Sequence, residues 1–125
     1  MKFDFTLKPC YHYCMIHEMR LNAPSFDKIV DGSKTIELRL LDDKRKAVKL
    51  GDVIEFVKEG TSETVQRKVM ALLNFPDFES LIDYLPLQLF GHQNKESIKE
   101  GVNMIYSIER QKEKSVLGII IAPLR

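Results

Sequence analysis

Apolar and polar residues alternate most cleanly over residues 35–41, where Ile36, Leu38 and Leu40 fall on one face and Thr35, Glu37 and Arg39 on the other. A period of two is that of a half-buried strand, so one face is built for a core and the other is not. A weaker alternation over residues 17–21 predicts an earlier strand. Between the two, Pro24 suits a first helical turn, and Phe26, Ile29 and Val30 recur at helical spacing. Gly32 then stands where a left-handed C-terminal cap is wanted, so a short helix ends there.

Residues 42–49 are charged and read as a loop. After Gly51 and Asp52, residues 53–57 and 64–73 predict two strands joined by a turn at residues 59–62, a hairpin. Asp77 can cap a helix with Phe78, Leu81, Ile82 and Leu85 in the core, stopped by Pro86. Asn94 can cap a second around Ile98, with Ile105 also read as core, although Gly101 weakens that helix by roughly 1 kcal/mol. Ser107 caps a short helix running to Lys114, and the apolar run at residues 116–121 predicts a strand in the middle of the sheet. Strands with helices inserted between them predict an α+β fold, a small mixed β-barrel with helices packed on one side. Residues 1–15 are expected as a lead-in draped over the surface, and residues 16–125 as the folded domain.

A length of 125 residues suits one hydrophobic core, and 44% hydrophobic with 30% charged residues is ordinary for a globular protein. The formal charge is only +1. Proteins that coat nucleic acid non-specifically are far more basic, so an RNA partner must be met by a local patch. The longest strongly apolar run, residues 116–122, is too short to cross a bilayer, and the acidic Asp4 breaks any secretory-signal pattern at the start. The expectation is a cytoplasmic protein without a membrane partner. Cys10 and Cys14 offer no disulfide framework, and together with His12 and His17 they match no paired zinc spacing. No metal or other cofactor is expected. Phosphate-loop, nucleophile-elbow and H-E-x-x-H motifs are absent from the sequence.

The chemistry concentrates in residues 32–39, Gly-Ser-Lys-Thr-Ile-Glu-Leu-Arg. A glycine-ended helix runs straight into a strand, with Lys34 at the junction and Glu37 and Arg39 on one strand face. Arg39 can hold a phosphate bidentately and Glu37 can pair a base edge. The plainer alternative is a surface ion pair between Glu37 and Arg39, worth about 0.5 kcal/mol.

This segment resembles the G-x-K-x-x-E-x-R signature of the ASCH family, whose domains have the PUA-like barrel fold. The likeness extends to residues 17–21 (His-Glu-Met-Arg-Leu) and to residues 50–56 (Leu-Gly-Asp-Val-Ile-Glu-Phe), which are similar to the family's L-G-D-x-I-x-F strand. Weaker similarities at Phe75-Pro76, residues 85–87, residues 104–107 and Gly118 carry it across residues 16–122. The resemblance implies a charged cleft between barrel and helices that holds RNA or a nucleotide-like small molecule. Some relatives are hydrolases, among them ones that remove acyl groups from modified cytidines, and others are nucleases. In the deacylating branch the signature lysine, here Lys34, is catalytic. That branch has threonine where this chain has Glu37, and its catalytic glutamate falls near Ser97, one residue from Glu96. The alternative to a binding domain is therefore a small metal-independent hydrolase, an amidohydrolase or ribonuclease, with Lys34 and Glu37 as its catalytic residues.

Three further residues are expected at the ligand. Tyr106 can stack a base, against its alternative as a helix tyrosine in the core with a wet hydroxyl. Arg20 and Asn22, at the end of the first strand, can reach the same cleft, although Asn22 serves equally as a helix cap. The basic residues Lys44, Arg45, Lys46 and Lys49 suit either a phosphate-contacting loop or a solvated turn blunted by Asp42 and Asp43.

Overall fold

Five strands, β1 (Ile16–Leu21), β2 (Ile36–Leu40), β3 (Val53–Lys58), β4 (Thr64–Phe75) and β5 (Val116–Pro123), make one mixed sheet in the order β1-β3-β4-β5-β2. The computed structural model describes residues 14–92 and 94–124. Most of the lead-in, with Cys10 and His12, lies outside them. β1 runs parallel to β3, and the other pairs are antiparallel. β3 and β4 form the expected hairpin, turned at Gly60 with φ +76°. In β4 the register slips between Val69 and Ala71, a bulge that bends the strand and helps the sheet curl into a half-barrel.

The curl separates two cores. Met19, Leu21, Ile54, Phe56, Val69, Leu117, Ile119 and Ile121 fill one, together with Phe26 and Ile29 from helix α1 (Ala23–Asp31). Ile36, Leu40 and Val116 fill the other, against α3 (Phe78–Tyr84), the 3₁₀ turn Leu87–Phe90 and α4 (Lys95–Ile105). β5 therefore buries side chains on both faces, which is why its sequence is continuously apolar. Its position between β4 and β2 is the interior one expected. Gln111, in α5 (Ile108–Lys114), is buried with its amide satisfied. It accepts from Phe78 N at 3.0 Å and donates to Asn103 Oδ1 and Tyr106 O, tying α3 to the end of α4.

Asp52 holds the other end of the barrel. Its buried carboxylate accepts from Met15 N, Lys49 N and the His17 ring, the last at 2.8 Å. Burial would raise this carboxyl, but the His17, Met15 and Lys49 hydrogen bonds outweigh it and hold the group below its ordinary value. Gly51, at φ +87°, makes the turn into β3, a conformation glycine adopts without a Cβ penalty.

Four expectations change. Residues 42–49 contain a helical turn, α2 (Asp43–Lys46), because Asp42 caps it by accepting from Arg45 N at 3.0 Å and pairing with Arg45 Nη1 at 3.2 Å. Ile105 is not core: it is 63% exposed. Seven residues after Ile98, it shares that residue's face of α4, but at the last turn of the helix this face opens onto a cleft instead of the core. Tyr106 is extended and just past the end of α4 rather than helical. Glu37, expected on an open polar face, is buried.

Candidate ligand cleft

β1 and β2 are the two edges of the curled sheet, and the signature residues lie where these edges approach each other. Lys34 is pinned ahead of β2 because its N–H donates to Lys28 O and that of Thr35 to Leu89 O. On β2 the alternation that sends Ile36 and Leu40 into the second core turns Glu37 and Arg39 the opposite way. Lys34 Nζ donates to Glu37 Oε1 at 3.0 Å and Arg39 Nε to Glu37 Oε2 at 2.7 Å. Arg39 Nη2 donates to the Arg20 carbonyl at 2.7 Å, so the guanidinium bridges the gap between β1 and β2.

Glu37 is only 3% exposed. Burial alone would raise its carboxyl; the charges and hydrogen bonds of Lys34 and Arg39 outweigh that and hold it below its ordinary value. Both oxygens are engaged, so Glu37 is an ionised anchor. Each cation keeps donors in excess of those it spends here. An ammonium has three and a guanidinium five.

These donors face a cleft of about 500 Å³ between the sheet and α4. Among the described residues, Arg20, Lys28, Lys34 and Arg39 line it with the carboxylates of Glu37 and Glu59, an excess of two positive charges. The opposite wall is apolar, with Phe90, Ile98, Val102 and Ile105. Ile105 faces this open cleft and not the core, the reason the sequence pattern misplaces it. Tyr106 also lines the cleft, its ring centroid 5.5 Å from that of Phe78.

All six residues expected at the ligand, Lys34, Glu37, Arg39, Arg20, Asn22 and Tyr106, line this one cleft. Asn22 is at the same time the cap of α1, accepting from Ser25 N at 3.0 Å. Among the basic run, Lys44, Arg45, Lys46 and Lys49 do not line it. Lys28, Glu59 and His92 line it without having been expected there. Lys28 shares a face of α1 with Pro24 and Ser25, which also line the cleft, but no local pattern in the sequence marks either Lys28 or His92 as a cleft residue. Ser97 also lines the cleft; Glu96 is directed away to Lys99, at 3.9 Å, with its side chain 80% exposed. Among the described residues no group of three or more His, Cys, Asp or Glu is placed to hold a metal ion, and no helix is long and apolar enough to cross a membrane.

A curled mixed half-barrel with helices against it defines a PUA-like domain. A match to the ASCH domain spans residues 19–115, and the chain belongs to that family. Among solved structures it is similar to the hypothetical protein PH0355, at 30% identity and a TM-score of 0.77, covering 88% of this chain and 100% of that one. It is also similar to protein PF0455 from Pyrococcus furiosus, at 31% identity and a TM-score of 0.68, over 89% and 99% of the two chains. The S128A mutant of ZmASCH from Zymomonas mobilis shares the fold at 12% identity and a TM-score of 0.60, over 86% and 67%. A search among curated protein sequences finds no match.

Proposed function

We propose that this domain binds RNA or a nucleotide-like ligand in the cleft, with Lys34 and Arg39 as the anion-binding cations and Arg20, Asn22 and Tyr106 in support. The observation that carries the reading is the buried Glu37, which spends both carboxylate oxygens on fixing Lys34 and Arg39 while their remaining donors face a 500 Å³ cleft. Fixed cations on one wall and an apolar wall opposite suit a phosphate and a base respectively. The ASCH family is associated with RNA binding, which points the same way.

The second reading, hydrolysis of an acylated nucleoside or of RNA through Lys34 and Glu37, has less support. Glu37 is held ionised with no free oxygen, and Glu96 faces away from the cleft. Binding without turnover is the better account of this geometry.

The test is fluorescence anisotropy of short labelled single-stranded RNAs, at low and moderate salt, against the native protein and Arg20→Ala. Arg20 is exposed and its guanidinium makes no hydrogen bond among the described residues, so this variant changes the cleft without unfolding it. Saturable, salt-weakened binding that drops about tenfold in Arg20→Ala supports the reading. Absence of binding, or equal binding by both proteins, overturns it, and conversion of the probe seen by mass spectrometry would favour the hydrolase.

A further inference from the structure

Beyond Lys34 the cleft opens into a second lobe of about 410 Å³, walled by Lys28 of α1, by Gly91 and His92 of the turn, and by Asn94 and Ser97 at the start of α4. Lys28, His92 and Ser97 line both lobes, so the two spaces adjoin. We infer that this second lobe is a phosphate subsite, built from Lys28, His92 and Ser97, which takes a phosphate group of the ligand held in the main lobe. The inference rests on the nucleotide reading of the main lobe and adds where the ligand continues.

Three features converge on an anion. Lys28 forms no ion pair among the described residues, unlike Lys34, Lys58 and Lys99, so its ammonium is available to a ligand. Among the described residues, the lobe's walls contain no carboxylate. Asp31, the carboxylate that acts on Lys28, is itself fastened to Ser33 N at 2.8 Å. Burial first, and then the charges of Lys28 and Lys34, hold the His92 imidazole below its ordinary value, so two cations act on the ring from the lobe's walls. The groups facing His92 are Lys28 from α1, Lys34 ahead of β2, and the neutral Asn94 and Ser97 from α4. A bound phosphate opposes the field of those two cations, so His92 takes up a proton on binding and becomes a further donor.

Gly91 keeps the lobe's floor low. At φ +68° its backbone favours glycine, and a Cβ there would meet Ser33 O at 3.1 Å and Lys34 Cβ at 3.3 Å. A side chain there would be strained at this φ and would crowd Ser33 and Lys34, so glycine suits the close approach of the turn.

The experiment follows the His92 ring signals by NMR while inorganic pyrophosphate is added at millimolar levels to the native protein, Lys28→Ala and, as a control outside the cleft, Lys44→Ala. The expected result is a saturable shift of His92 and a higher titration midpoint for its ring, with affinity about tenfold weaker in Lys28→Ala and unchanged in Lys44→Ala. An unmoved His92, or equal affinity in native and Lys28→Ala, overturns the subsite. Trinucleotides with a 5′-phosphate or a 5′-hydroxyl separate the phosphate's source. A gain for the 5′-phosphate assigns the lobe to a terminal monoester; equal binding that still depends on Lys28 assigns it to a phosphodiester. RNA binding that ignores Lys28, with His92 unmoved by pyrophosphate, removes the subsite and leaves the main-lobe reading standing. A pyrophosphate response without any RNA binding does the reverse.

Discussion

Replacing Glu37 with glutamine keeps the side chain's shape and removes one charge. In the native protein its two oxygens accept from Lys34 Nζ at 3.0 Å and Arg39 Nε at 2.7 Å, and the Glu37, Lys34 and Arg39 side chains are 5%, 15% and 13% exposed. An amide offers one oxygen in place of two and turns an NH₂ toward one of the cations, so one strong bond is lost and two like charges lose their shared counter-ion. Neutralising one partner of a buried pair costs about 3–5 kcal/mol, against about 0.5 kcal/mol for a surface pair. The lower end applies, because both cations keep some hydration at the cleft wall. About 3 kcal/mol in a domain of this size lowers the melting temperature by roughly 10 °C. Thermal and urea melts of native and Glu37→Gln protein at neutral pH measure this directly. A loss below about 1 kcal/mol would refute the buried-anchor account, since it would place the pair among solvated ones.

The same pair of proteins tests the sign of the pH dependence. The Glu37 carboxyl is held lower in the folded state than in the unfolded chain. Its stabilisation is therefore complete above the unfolded glutamate value and is lost as pH falls toward the folded one. The margin of native over Glu37→Gln should be flat from neutral pH to about 5 and shrink once the pH drops below about 4. A margin that widens in acid contradicts the assignment.

Two further substitutions probe the scaffold. Gly118→Ala places a Cβ 3.1 Å from both Ile36 Cδ1 and Leu81 Cδ1, so overpacking between β5 and α3 should cost about 1–3 kcal/mol in a urea melt. Asp52→Asn replaces a carboxylate that accepts three hydrogen bonds in a buried site and should cost about 1–3 kcal/mol at neutral pH. Because the Asp52 carboxyl also titrates lower in the folded state, that cost should diminish below about pH 4, as followed by melts across the acid range.

What was legible in the sequence depended on how local its cause was. The alternation at Ile36, Leu38 and Leu40, the caps Asn22, Asp77, Asn94 and Ser107, and Gly32 after α1 are all set by near neighbours, and each stands in the structure where the pattern puts it. The helical turn α2 was missed because the capping Asp42 sits in a run whose charges read as solvated loop. Burial of Glu37 was not legible. A carboxylate at that strand position normally faces water, and only the approach of β1 to β2, together with the flanking cations Lys34 and Arg39, makes its burial tolerable. His92 and Lys28 reach the cleft through the path of the chain after α3 and the placement of α1, neither of which a local pattern encodes.

The location of the site follows from the way the half-barrel ends. A curled sheet that does not close leaves two edges with unpaired backbone groups, which invite wrong pairing unless covered. Here Arg39 on one edge strand takes the Arg20 carbonyl of the other, and the cation that makes this bridge must itself be neutralised in a partly dry setting. Glu37 supplies that charge, and by accepting also from Lys34 it leaves the seam with one more cation than anion. The excess positive charge at the cleft is thus a by-product of how the sheet edges are joined. On the proposed reading Arg39 would serve folding and ligand binding at once, and its removal should change both. Arg20 and Lys28, whose charged groups make no ion pair among the described residues, are the positions where affinity can change while the fold does not.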